Sequence, residues 1–448
     1  MRNIFMSLLF LFPATEQLRT TEAYPEIQSD FPLLWKANIG KASFRTNLSF
    51  TAEHLIVGSN GNSFLDYMFY DKRSGVYVLN RGSGNIVRKF ADEALGDMDV
   101  NGVLIHNGKY YFGNDNEEFL CTNTNGKLLW RNLTSGDIES EPILLRRNDS
   151  YIVVYASESG EVTAVNPENG KLLWQYFTPD FSGFKPGDSR SIFKVKAFFS
   201  NSTSFYTKPF VIDLNKDGQS DLVYLTWDNT VTAIDGGKGK LLWRFVSDNL
   251  LGSDLLVSDG PAGPVIMVQD YVYRQGSGLR ESRLLSLDSN GKLIEERKVG
   301  AYSHDAGLNH FTDKQDTLVM NINDSLLFIK NGKVCRALYY DSKPLQQEEE
   351  DWVEGVNHRD ALFSQNSFSM KGHPRCVALL NQRDYLHMKY AVLEIVSLDD
   401  GSVLKRYSIP ENSEMPPLIK DVNKDGFLDL LINAYDGSLY CYNMKIKS

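Results

Sequence analysis

The stretch VIDLNKDGQSDLVYL, residues 211–225, carries oxygen-bearing side chains at alternate positions: Asp213, Asn215 and Asp217, then Asp221. Such a set can wrap a hard cation, with the backbone carbonyl of Gln219 as a further ligand and Gly218 permitting the sharp turn. A calcium loop flanked by helices closes with a bidentate Glu at its twelfth position. Here that position is Tyr224, and the flanks Val211-Ile212 and Leu222 to Leu225 are strand formers. The pattern recurs as Asp421, Asn423, Asp425, Gly426 and Asp429, with Phe427 in the place of Gln219. Carboxylates gathered this closely repel one another unless a cation offsets them, so both loops are expected to hold calcium. Ligated throughout by protein, that metal offers no open position to a substrate. Its expected role is structural, with an affinity on the order of 10⁻⁴ to 10⁻³ M, as in extracellular modules. A degenerate third copy, Asp97, Asp99, Asn101 and Gly102, has Ile105 where the closing Asp belongs and is not expected to bind tightly.

The strands that must carry these loops belong to a repeat. Leu-Leu-Trp occurs four times, ending at Trp35, Trp130, Trp174 and Trp243, three times within GKLLW. Before each GKLLW stands a short alternating strand, EFLCTN, EVTAVN or TVTAID, and weaker copies are GVYVLN, RLLSLD, SLLFIK, EIVSLD and SLYCYN. Aligning these eight gives a column of mostly small residues, Val78, Cys121, Ala164, Ala233, Ser286, Phe328, Ser397 and Cys441, which lets neighbouring sheets approach. Two residues on come Asn80, Asn123, Asn166, Asp235, Asp288, Lys330, Asp399 and Asn443, seven of the eight Asn or Asp, side chains suited to bonding back onto their own turn. The copies recur every 42 to 69 residues, room for about four short strands each, and such radially repeated units make a β-propeller.

The fold expected is therefore all-β: an eight-bladed propeller of four-stranded antiparallel blades, with seven blades as the alternative count. The last copy, GSLYCYN, runs out before its Leu-Leu-Trp strand, and FPLLWKANIG near the start is that strand alone. The N-terminal strand is expected to complete the last blade and close the ring. The two loops, four repeats apart, then lie on opposite sides of it. Longer intervals hold insertions at 178–208 and 342–374, the second with the acidic run Glu348 to Asp351, read as a solvated loop.

The VTAxDxxxGKLLWxF pattern resembles the quinoprotein-type (PQQ-like) propeller repeat over nearly the whole chain, and the two DxNxDGxxD loops resemble the calcium loops of FG-GAP blades. The resemblance implies a single propeller domain over 30–448. It implies either of two roles: a scaffold like the subunit of the bacterial β-barrel assembly machinery (BamB-like), or a quinone-dependent oxidoreductase. Many alcohol-oxidising relatives cap the quinone with a disulfide between adjacent cysteines. This chain has no Cys-Cys pair, so pyrroloquinoline quinone is not an expected cofactor.

Other features narrow the function. A net charge of −10 argues against a nucleic-acid partner. Residues 1–23 have the order of a secretory signal, Arg2, then an apolar run from Ile4 to Ala14, then small residues Thr21 and Ala23 before a cleavage point. Export to a periplasm or the extracellular space is expected, with no transmembrane segment in the mature chain. Cys121 and Cys441 read as buried inert thiols, whereas Cys335 and Cys376 have the option of pairing. His304, His310 and His358 match no ligand spacing, and no nucleophile or phosphate-loop motif occurs. The function expected is a calcium-stabilised, monomeric, non-catalytic scaffold that binds a protein of the cell envelope or extracellular space. A quinone-dependent oxidoreductase or a carbohydrate-active propeller is the alternative.

Overall fold

The computed structural model describes residues 29–43, 45–62, 72–90, 98–147, 150–179, 205, 208–226, 229–274, 279–300, 310–312, 318–322, 325–339, 361–383, 390–410, 413 and 415–447. These form eight antiparallel sheets arranged as a propeller ring, seven of four strands and one of five. We number them as blades one to seven over 48–90, 103–133, 143–177, 210–246, 250–300, 310–339 and 361–409. Blade eight combines Leu418–Lys420, Phe427–Asn433 and Ser438–Lys447 with the N-terminal strand Leu33–Asn38. The expected ring closure is therefore present: Trp35 lies opposite Cys441 and Asn38 opposite Ser438. Blade seven has its extra strand because Ala361–Phe363 and Phe368–Met370 both pair with the long strand His373–Arg383.

What makes the repeat foldable is a bulge next to its tryptophan. Between the third and fourth strands of every blade the register shifts beside the small column, as between Ala164 and Val165, which pair with Trp174 and Leu172, and blade five has a second shift at Ser282/Arg283. The residue skipped is Leu173. The bulge twists the outer strand so that its two leucines face outward, Leu172 at 53% and Leu173 at 38% exposed, while Trp174 turns in and is buried. The small column sits directly across from the indole: Cys121 faces Trp130, Ala164 faces Trp174, Ala233 faces Trp243 and Cys441 faces Trp35. A larger residue there would fill the space the ring needs.

Each indole then docks onto the next blade. Trp35, Trp130, Trp174 and Trp243 donate Nε1–H to the carbonyls of Arg81, Pro167, Gly236 and Ser289, at 2.8–3.2 Å. They lie flat against Gly84, Gly170, Gly239 and Gly291, where an added Cβ would fall within 2.4–2.6 Å of the ring. Those glycines also hold φ of +68° to +77°, so the turn needs glycine for two independent reasons. The turn itself is fastened by the Asn/Asp column, for example Asn123 Oδ1 accepting from Asn125 N and Lys127 N, and Asp288 Oδ1 from Asn290 N and Lys292 N.

Where the repeat is weak, the pairing corrects the alignment. In blade seven the bulge follows Ile395, which faces Lys405, so Ile395 occupies the small column and Ser397 the turn position. Ser397 Oγ accepts from Asp399 N, doing the work of the missing Asn or Asp. The sequence columns had placed Ser397 and Asp399 two residues too far along, because two acidic residues before a glycine mimic the usual turn. In blade six Phe328 faces Arg336, whose guanidinium stacks at 3.9 Å over the phenyl ring and donates to the carbonyls of Leu398 and Asp399 in blade seven. Arg336 thus replaces the docking indole.

All four cysteines are free, so the Cys335–Cys376 option is not taken up. Burial pushes the Cys121 and Cys376 thiols up to about 11 and Cys441 higher still, keeping them protonated. Residues 1–23, most of both insertions, His304 and His358 lie outside the described residues, as does the side chain of His310. Among the described residues no helix is long and apolar enough to cross a membrane.

Candidate metal loops

Both motif loops join the first and second strands of their blades, between Phe210–Ile212 and Asp221–Thr226 and between Leu418–Lys420 and Phe427–Asn433. Blades four and eight stand opposite each other in a ring of eight. A buried residue anchors each loop at its second position, Leu214 in the core shared with blade five and Val422 in the core shared with blade one. The backbone turns through left-handed Lys216 and Lys424, at φ 60° and 63°.

The motif oxygens accept from the same loop amides in both copies. Asp213 accepts from Asp217 N and Gly218 N at 3.2 and 3.0 Å, and Asp421 from Asp425 N and Gly426 N at 3.1 and 3.0 Å. Asn215 and Asn423 accept from the amides of Asp217 and Asp425. Asp217 and Asp425 in turn accept from Gln219 N and Phe427 N. The closing carboxylates, Asp221 and Asp429, are fully buried, and through Oδ2 each holds two amides at the loop start: Leu214 and Asn215, or Val422 and Asn423. In this conformation the oxygens serve the hairpin's own amides, and no group of three or more His, Cys, Asp or Glu among the described residues converges on one point.

The remaining oxygens bear on whether a cation fits. Asp429 Oδ1 is buried without any hydrogen-bond partner. Burial, with the charges of Asp425 and Asp421 nearby, pushes its carboxyl up to about 6 despite the two backbone bonds. Burial raises Asp221 as well. A buried carboxylate oxygen that lacks a donor is costly unless a cation serves it, so the donor set fits a hard oxygen-seeking ion. Asp213, Asn215, Asp217, Asp221 and the Gln219 carbonyl, or Asp421, Asn423, Asp425, Asp429 and the Phe427 carbonyl, are the residues that would hold it.

Two surroundings escaped the sequence reading. Arg81, from the turn of blade one, donates to the carbonyls of Val422 at 2.9 Å, Thr51 at 3.0 Å and Asp421 at 3.4 Å, tying the second loop across the closing seam. Lys424 Nζ reaches Ala52 O from the other side. Neither partner is near the loop in sequence, so no local signal marks them. On the opposite face Arg45, in the link from blade eight to blade one, pairs with Glu139. Burial opposes its charge, but Glu139, Glu158 and Asp115 more than offset that. Asp99, Asn101 and Gly102 of the degenerate copy lie on this face, in the link before blade two, where Asn101 bonds Ser43 and Glu139, so they form no hairpin loop; Asp97 lies outside the described residues.

An eight-sheet ring with indole docking defines a PQQ-like propeller. A family model described as outer membrane protein assembly factor BamB matches residues 32–183 and 205–369, and the chain belongs to that family. The crystal structure of BamB from Moraxella catarrhalis superposes with a TM-score of 0.50 at 13% identity, covering 94% of this chain and 99% of that one. A quinohemoprotein alcohol dehydrogenase from Comamonas testosteroni gives 0.55 at 14% identity, covering 94% and 77%. The computationally designed protein Ika8 gives 0.54 at 12%, covering 92% and 100%. At such identities the likeness is one of fold. No curated relative matches the chain.

Proposed function

We propose that this chain is an exported, calcium-stabilised propeller acting as a non-catalytic scaffold that binds a protein of the cell envelope or extracellular space. The observation that carries the reading is membership of a family described by an assembly factor. The match to the BamB structure, which covers 94% of this chain and 99% of that one, adds support. Rigid blades stapled by docked indoles suit a scaffold, and the connecting loops at the ring's faces are where recognition would reside. Calcium in the loops of blades four and eight would stiffen two hairpins on opposite sides of the ring. This part of the reading draws support from the unserved Asp429 oxygen.

Affinity capture from a native envelope extract, with the mature chain as bait in millimolar calcium and again in chelator, tests the reading. A defined membrane-protein partner recovered in calcium and lost in chelator is the expected outcome. Dye-linked alcohol oxidation on adding pyrroloquinoline quinone to the same preparation would overturn it in favour of an oxidoreductase, the activity named for the alcohol dehydrogenase that shares the fold.

A further inference from the structure

We infer that the two loops are unequal cation sites: the 421–429 loop binds calcium tightly, the 213–221 loop weakly, and Lys238 is the residue that separates them. The inference rests on the calcium reading above. The loops share the motif, the left-handed turn and the bonds from their own backbone amides, so the contrast lies in the oxygens those amides leave over and in what faces them.

Around the 421–429 loop the carboxylate oxygens meet no positive charge. Asp429 Oδ1 is buried and has no partner. Asp425 Oδ2 accepts only from the neutral amides of Asn423 and Asn443, at 3.0 and 3.3 Å. The cations nearby are turned elsewhere, Lys424 to the Ala52 carbonyl, Arg81 to those of Thr51, Asp421 and Val422, and Lys420 onto the Phe50 ring. The 213–221 loop differs at the same places. Asp221 Oδ1 has a donor, Gly236 N at 3.4 Å. Lys238 Nζ lies 3.5 Å from Asp217 Oδ2 and 3.0 Å from Asp235 Oδ2. Asp235 holds the turn position that Asn443 holds in blade eight, so blade four adds one carboxylate and one ammonium to its loop. A calcium ion entering there must displace the ammonium or bind beside it and be repelled. Lys216 and Lys424 occupy the same position in the two loops and so do not distinguish them.

Replacing Lys238 therefore unmasks the blade-four loop, leaving Asp213, Asp217, Asp221 and Asp235 to the metal. The test is calorimetric titration of the full mature chain with calcium chloride after chelator treatment, for the wild type, Lys238→Met, Asp429→Asn and Asp221→Asn. The wild type is expected to show two steps, on the order of ten-fold or more apart within the range of extracellular calcium modules. Asp429→Asn should remove the tight step and Asp221→Asn the weak one. Lys238→Met should strengthen the weak step on the order of ten-fold and leave the tight one in place. Lys238 is largely exposed, so that variant keeps its fold even where an aspartate variant does not. Two equal steps, loss of the tight step in Asp221→Asn, or a Lys238→Met isotherm identical to wild type would overturn the inference while leaving calcium binding intact. No calcium heat in the wild type would retire the calcium reading itself, and this inference with it.

Discussion

At Asp429 a carboxylate is buried with one oxygen bonded to two amides and the other to nothing. Such a charge destabilises the fold unless a cation serves it. Asp429→Asn keeps an oxygen for the two amides and puts a neutral amide NH2, a donor, where the unserved oxygen was, with Asp425 and Asp421 nearby. In chelator at neutral pH the variant is expected to be more stable than wild type by about 1–3 kcal/mol, while losing any stabilisation by calcium. Thermal melts of both proteins in chelator and in calcium check this; a variant less stable than wild type in chelator would mean that Asp429 is already satisfied. Asp217→Ala makes a simpler case, because Asp217 lies on the exposed side of its loop. It should lower the melting temperature in calcium and change it little in chelator.

At the scale of the element, the stability of a blade depends on one docked side chain from its neighbour. Trp174 is buried across from Ala164, bonds the Gly236 carbonyl and covers Gly239. Trp174→Ala is expected to cost about 3–5 kcal/mol in denaturant unfolding, the range for deleting a large core aromatic. Arg336 performs the same docking with a stacked guanidinium and two backbone bonds. Arg336→Ala should cost less, about 1–3 kcal/mol. Equal losses for the two would contradict the difference in buried area. Leu-Leu-Trp was legible as a repeat, but not the reason its two leucines are exposed. That reason is the bulge, which requires the partner strand's register and has no marker of its own in the triplet. Blade seven shows the limit most plainly: Asp399 looks like the turn residue by type, and only the pairing of Ile395 with Lys405 moves that role to Ser397.

For the whole molecule, the seam is where ring closure and the second loop meet. Asn443 N bonds Pro32 O at the end of the N-terminal strand, and Arg81 and Lys424 clamp the loop to blade one. A ligand at one hundred times its dissociation constant adds about 2.7 kcal/mol to the folded state. Calcium at that excess is expected to slow amide exchange in Leu33–Asn38 and in the strand Ser438–Lys447 that it pairs with, more than in blades two and three. Uniform slowing, or none at the seam, would show that the loop and the closure are not coupled. Deleting residues through Asn38 should prevent a stable ring from forming, since blade eight would lose its outer strand and blade one its docked Trp35.

The sequence was sufficient for the repeat, the all-β class, the strand that closes the ring and both carboxylate loops. All of these depend on periodicity and on residues within about a dozen positions of one another. Tertiary structure was needed for anything that depends on what faces a residue from another blade. Arg81 reaches Val422 from 341 positions away. Arg336 takes the place of an indole, its guanidinium stacked on Phe328 and bonded to carbonyls of blade seven. Two loops with the same motif differ because a lysine stands beside one and neutral asparagines beside the other. A local motif specifies its own backbone bonds, whereas charge and burial at a site are sums over neighbours that only the closed ring brings together.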